Sequence, residues 1–215
     1  MNKLCVTEVE KLIEAVNKAD SADGLLEAVE NLADARSETA IPTLIEVLGF
    51  NNPGAAVAAV EGLINIGEPA VPYLMDNLDD YNYGARAWSI RAFAGIGDPI
   101  ALDLLLKAAV TDFSQSVRRA AARGLGIIRW SKLPPEKILP RQEAALKTLL
   151  LATTDGEWVV RYAAVVGLQS LGETVGKTQP QFLAEITSRF QEMKDSEPET
   201  AICARIQLAW ENLKE

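Results

Sequence analysis

Apolar residues recur along this chain at the three- and four-residue spacing of amphipathic helices, in short runs closed by Gly-containing turns. The pattern also repeats on a longer scale. AIPTLIEVL (Ala40 to Leu48) aligns with AVPYLMDNL (Ala70 to Leu78), and INIGEP (Ile64 to Pro69) with AGIGDP (Ala94 to Pro99), each at an offset of 30 residues. SVRRAAARGLG (Ser116 to Gly126) matches VVRYAAVVGLQ (Val159 to Gln169) in a V-R-x-x-A-x-x-G-L core. Each unit reads as two short helices, with Pro42 and Pro72 tolerated in a first turn. The pattern predicts an all-α, HEAT-like α-solenoid: a right-handed superhelix of about five helical-pair repeats. It is expected to form one domain over residues 1–215, with an N-terminal cap helix (1–21), repeats over 22–178 and C-terminal capping helices (179–215). Pro134, Pro135 and Pro140 break the periodicity and predict an inserted loop near residues 127–144.

Aligned units place arginines at equivalent positions, Arg86, Arg118 and Arg161, with Ala56 in the earlier unit. Six residues before each arginine stands an aspartate: Asp80, Asp112 and Asp155. An aspartate in an inter-helix turn accepts hydrogen bonds from turn amides and from an arginine of a neighbouring repeat, so these six residues are expected to form a structural ladder.

The stretch DDYNYGARAWSIRAFAGIGDP (Asp79 to Pro99) concentrates aromatic and charged groups in a chain that is only 6% aromatic. Here Ala85, Ser89, Ile90, Ala92, Phe93 and Ile96 take packed positions, with Asn82 expected to cap the helix. Ala87, Trp88 and Arg91 are left on the other side, Trp88 and Arg91 being neighbours at i, i+3. Equivalent positions in later units are Arg119, Ala120 and Arg123, then Tyr162, Ala163 and Val166; in the earlier unit they are Val57, Ala58 and Glu61. A wall of this composition suits a flat, apolar molecule bearing carboxylates.

Composition narrows the chemistry. No histidine is present, which removes Ser-His-Asp and Cys-His relays and histidine metal ligands, so no metal site is expected. Cys5 and Cys203 stand far apart and lack CxxC pairing; they read as reduced structural cysteines. The net charge of -9 is unevenly spread: residues 1–85 carry 4 Lys+Arg against 15 Asp+Glu, and residues 86–161 carry 12 against 7. A local cationic surface in an acidic protein attracts an anionic ligand while the whole repels polyanions, so nucleic acid is not an expected partner. No segment approaches the roughly 18 apolar residues of a membrane span, so no membrane insertion is expected, and the N-terminus lacks the apolar stretch of a signal peptide.

YNYGARAWSIRAFAGIGDP, with the surrounding repeats from about Ala22 to Leu171, resembles the E/F-type phycobilin lyases of phycobilisome assembly. The repeats are shared with many scaffold proteins, whereas D-D-Y-N-Y-G-A-R-A-W is more specific. The resemblance implies a heterodimer with an E-like subunit that joins phycocyanobilin, as substrate and not as permanent cofactor, to a cysteine of the phycocyanin α chain by a thioether. The nucleophilic thiol then belongs to the substrate protein, and the expected location is the cytoplasm near thylakoid-associated phycobilisomes. A related isomerising lyase subunit depends on a short motif containing His and Cys; it is missing here, so attachment without isomerisation is expected. Under this reading Tyr83, Trp88, Arg91, Arg119, Arg123 and Tyr162 bind the bilin. Arginines hold the propionates, and Trp88 and Tyr162 stack on pyrrole rings. Asp79, near the pyrrole nitrogens, favours the protonated and more electrophilic bilin. The alternative is a non-enzymatic HEAT-repeat adaptor that binds phycobiliproteins in phycobilisome assembly or degradation.

Overall fold

A computed structural model describes residues 6–78 and 81–214. Asp79, Asp80 and Cys5 lie outside the described residues. Helices and their short 3-10 turns make up all the regular structure among the described residues, and the chain divides into two compact units, residues 1–96 and 97–215.

The first unit contains α1 (Val6–Lys18), α2 (Ala22–Asp34), α3 (Ile41–Val47), α4 (Pro53–Ile66), α5 (Ala70–Asp76) and α6 (Tyr83–Ile96). Local sequence accounts for the boundaries. Ser21, Asn52 and Asn82 each cap a helix, their side-chain oxygens accepting from the amides of Gly24 (3.2 Å), Ala55 (3.1 Å) and Ala85 (3.0 Å). Pro42 and Pro53 sit in first turns, where the missing N–H costs no helical bond. Gly67 ends α4 at φ 82°, a conformation that side chains with a Cβ resist. The even-numbered helices pack on one another, α2 on α4 and α4 on α6, with α3 and α5 behind them. Asn52 also donates to the Ala22 carbonyl (2.9 Å), tying the starts of α2 and α4 together. The core is built from Leu32, Ile41, Leu44, Leu63, Leu74, Ile90 and Phe93, all buried.

The second unit contains α7 (Leu102–Thr111), α8 (Gln115–Leu125), α9 (Pro135–Ala152), α10 (Trp158–Val175), α11 (Pro180–Ser196) and α12 (Thr200–Asn212). α8 packs on α10 and α10 on α12, the same arrangement of alternate helices. Gly126 and Gly167 permit the first contact. A Cβ on Gly126 would lie 2.5 Å from the Gly167 carbonyl oxygen, and one on Gly167 would lie 2.5 Å from that of Ala122.

The stretch expected as an inserted loop is largely ordered as helix. Residues 127–134 form a short connection with a 3-10 turn at Trp130–Lys132, and α9 begins at Pro135. Pro140 lies inside α9, as its sixth residue. It is exposed there, as is Glu136, so the Glu136 carbonyl left without a donor by the proline nitrogen lies on the solvent side of the helix. The connection is pinned down: the Arg129 amide donates to the Gly97 carbonyl (2.9 Å), Lys132 pairs with buried Asp98 (3.2 Å), and Trp130 is buried. At the C-terminus, α11 and α12 form another helical pair stacked on α10, where capping helices are expected from sequence.

Candidate functional site

The first unit presents α6 with two contrasting sides. Ser89, Ile90, Ala92, Phe93 and Ile96 are buried and Ala85 is half-buried, while Ala87 and Trp88 are half-buried and Arg91 is exposed. The Arg91 guanidinium sits over the Trp88 ring, 5.4 Å from its centroid. This is a cation–π pair, and it leaves an indole and a charged fork on one accessible strip. Tyr83, at the first position of α6, is 58% exposed. Arg86, on the same helix, is buried.

In the second unit, Arg119 and Arg123 are exposed and one turn apart on α8, with half-buried Ala120 between them. On α10, Tyr162 is exposed, Val166 half-buried and Ala163 buried. Arg205 of α12, half-buried, is a further arginine of this unit that sequence reasoning did not single out. Its Nη2 donates to the Gln169 Oε1 at 2.5 Å, and the Gln169 amide donates in turn to Glu173. Gln169 is buried, so its orientation is fixed by packing as well as by the two bonds. Burial lowers the Arg205 pKa, an effect that Arg123 reinforces and that nearby Tyr162 and Glu173 oppose.

The ladder residues form a second, structural set. Arg118 reaches forward to Asp155, its Nε and Nη2 donating to the two carboxylate oxygens at 2.7 and 3.0 Å. Its Nη1 turns back to the carbonyls of Asp112 (2.9 Å) and Phe113 (3.1 Å). Arg161 repeats the geometry: Nε and Nη2 donate to Glu197 at 2.9 and 2.7 Å, and Nη1 donates to the carbonyls of Asp155 (3.0 Å) and Gly156 (3.2 Å). Each carboxylate also closes its own turn by accepting an amide two residues on, Ser114 for Asp112, Glu157 for Asp155 and Glu199 for Glu197. An arginine therefore binds the backbone of the aspartate six residues before it and the side chain of the carboxylate in the next repeat.

These bonds set the protonation of their members. The hydrogen bond from Arg161 holds the Glu197 carboxyl below its ordinary value of 4.5, against the opposing effect of burial. Burial pushes Asp155 upward, but the Arg118 bond and the Glu157 amide together leave it below its ordinary 3.8. Arg118 and Arg161 are raised by the bonds to those same carboxylates.

Sequence alone did not extend the ladder to Glu197. The signal was a spacing: Glu197 precedes Cys203 by six residues, as Asp155 precedes Arg161. Cys203 occupies the arginine position, and its Sγ lies 3.5 Å from the Glu197 carbonyl oxygen, the counterpart of the Arg161 contact with Asp155. In that register Arg205 corresponds to Trp88, Ala120 and Ala163. Among the described residues no group of His, Cys, Asp and Glu is arranged to hold a metal ion, and no helix is long and apolar enough to cross a membrane.

The HEAT repeats family matches this chain over residues 9–93 and 71–169. The phycocyanobilin lyase subunit beta of Pseudanabaena tenuis is 53% identical over 206 residues, covering 95% of this chain and 73% of the relative. The phycocyanin alpha phycocyanobilin lyase CpcF of Synechocystis is 50% identical over 212 residues, covering 99% of this chain and 97% of the relative. Among solved structures, the complex of CpcE and CpcF of phycocyanin lyase from Nostoc includes a chain with 51% identity and a TM-score of 0.74. That match covers 81% of this chain and 99% of the other.

Proposed function

The chain belongs to the HEAT-repeat phycocyanobilin lyases, and from that membership we propose that it is the F-type subunit of a heterodimeric lyase. With an E-like partner it attaches phycocyanobilin to a cysteine of the phycocyanin α chain. The thiol sulfur of the acceptor adds to the ethylidene group of the bilin. A carbon–sulfur bond forms, the electrons of the double bond take up a proton, and no oxidant or reductant is consumed.

The chain's own residues bind and orient. The observation that carries this reading is Arg91 seated over Trp88 on the accessible strip of α6, beside a buried face that fixes the helix. An indole face stacks on a pyrrole ring, and a guanidinium fork takes a carboxylate in two parallel hydrogen bonds. Tyr83 extends the strip toward the start of α6. In the second unit Arg119, Arg123 and Tyr162 offer the same two kinds of contact. Asp79 is assigned the role of keeping the bilin protonated. Cys203 stands in the ladder and has no assigned part in the chemistry, consistent with a nucleophile supplied by the acceptor protein. Holding the two reactants together supplies much of the rate. The bilin is a substrate that leaves with the acceptor, no cofactor is retained, and the reaction takes place in the cytoplasm where phycobilisomes are assembled.

The test is coexpression of this chain, an E-like subunit, the apo α chain and a phycocyanobilin source. Covalent bilin is read by zinc-enhanced fluorescence after denaturing electrophoresis. A fluorescent α chain that needs both subunits is expected. Pigment that copurifies yet never becomes covalent would refute the lyase reading in favour of an adaptor, and Asp79→Asn, which preserves size and removes charge, is expected to slow transfer.

A further inference from the structure

The acidic first unit holds a recess that the Trp88–Arg91 strip of α6 does not use. It has a volume of about 530 Å3 and opens between the end of α1, the start of α2 and the turn from α3 to α4. Val16, Leu25 and Phe50 give it an apolar lining, and Phe50 is 39% exposed there. Two exposed carboxylates, Asp20 and Glu46, line it as well, and no lysine or arginine does. Lys18, close by in the chain, is paired with Glu14 at 2.5 Å. Among the described residues neither Asp20 nor Glu46 makes an ion pair. The walls are held in place from within: Ser21 caps α2, Asn52 caps α4, and the Asn52 amide donates to the Ala22 carbonyl at 2.9 Å.

Charge selects the occupant. Residues 1–85 carry 15 Asp+Glu against 4 Lys+Arg, so an anion such as a bilin propionate is repelled here and a cation is drawn in. Two copies of this chain, each of net charge -9, repel one another. Under the lyase reading the acceptor chain leaves after each transfer, whereas the E-like subunit stays, and a preformed recess suits a standing contact. We propose that the recess is a docking socket for the E-like subunit, filled by a basic segment of that chain. A lysine or arginine reaches Asp20 and Glu46 with its charged end, and its aliphatic stem packs on Phe50 and Leu25. An exposed aromatic ring beside the paired charges is the usual composition of an interface anchor. This rests on the lyase reading and adds to it the place and the chemistry of a contact between the subunits.

The experiment titrates this full chain with the purified E-like subunit by calorimetry at low and at physiological salt, with bilin transfer to the α chain assayed on the same preparations. Asp20→Asn combined with Glu46→Gln keeps both shapes and removes both charges. It is expected to weaken binding about tenfold or more and to flatten the salt dependence. Phe50→Ala is expected to weaken binding about tenfold with the salt dependence retained. None of these side chains caps a helix, and unchanged melting curves separate a lost contact from a lost fold. In the otherwise unaltered chain, a photo-crosslinking amino acid in place of exposed Asn51 is expected to join a peptide of the E-like subunit that contains lysine or arginine. Wild-type affinity and salt dependence in the charge variant, or cross-links only to the acceptor α chain or to a second copy, would overturn the socket; covalent bilin formed by the same wild-type pair would leave the lyase reading intact. A pair that docks through the recess and never yields covalent bilin would uphold the socket and overturn the lyase reading. A chain that binds no E-like subunit would overturn both.

Discussion

Removing Arg161 is expected to unfasten the ladder at its last rung. The side chain makes two charge-assisted bonds to Glu197 at 2.9 and 2.7 Å and two to turn carbonyls at 3.0 and 3.2 Å. Glu197 is only 4% exposed and Arg161 15%, so Arg161→Ala strands a nearly dehydrated carboxylate. Breaking one partner of a buried pair typically costs about 3 to 5 kcal/mol. Glu197 keeps the Glu199 amide, which places the expected loss at the lower end, about 3 kcal/mol. For a chain of this length that corresponds to a fall in Tm of roughly 6 to 12 °C. Arg161→Met combined with Glu197→Gln removes the pair together, retains the turn acceptor, and is expected to cost less than the sum of its single changes by at least about 1 kcal/mol. Arg141→Ala is the reference: Arg141 and Asp103 also pair through two bonds, but their side chains are 37% and 71% exposed, and an exposed pair contributes below about 1 kcal/mol. Urea midpoints and thermal melts of the five variants, Arg161→Ala, Arg141→Ala, Arg161→Met, Glu197→Gln and the double change, measure these differences. A loss for Arg161→Ala no larger than that for Arg141→Ala, or strict additivity in the double variant, would refute the ladder as a source of stability.

Acid should act on the same rungs. Glu197 and Asp155 are depressed in the folded state, so the stability they contribute is fully present above their ordinary values of 4.5 and 3.8. It is lost as pH falls through the folded values. Melting temperature followed from pH 7 to pH 3 is expected to decline below about 4.5, and less steeply in Arg161→Met; an equal slope in both would contradict the assignment. Gly167→Ala should lose about 1 to 3 kcal/mol through overpacking, because the added methyl meets the Ala122 carbonyl and Leu149; unchanged urea midpoints would show that α8 and α10 can separate at little cost. Trp88→Ala and Arg91→Ala are expected to retain the wild-type melting temperature within about 1 to 2 kcal/mol of stability and to reduce covalent bilin on the α chain. Wild-type transfer by both would place bilin recognition elsewhere.

Much of this protein was legible in its sequence because the information is local. Helical periodicity, the Asn82 cap, the prolines of first turns and the two sides of α6 each depend on residues within a few positions of one another. The repeat offset made the arginine and aspartate positions visible as a set, since each turn must satisfy its own amides in the same way. Pro140 shows where local rules end: a proline that reads as a helix breaker is accommodated because it stands on an exposed face, and exposure is a property of the packed unit. The pairings were decided the same way. Arg118 and Arg161 find their carboxylates 37 and 36 residues on, where stacking of α8 on α10 and of α10 on α12 brings one turn against the next. Glu197 serves as well as aspartate there, because the rung requires a carboxylate at a position in space and not a particular residue type. Arg205 was hidden for the complementary reason: Cys203 replaces the arginine that marks the repeat, and only the contact of α12 with α10 reveals the register that carries Arg205 to Gln169.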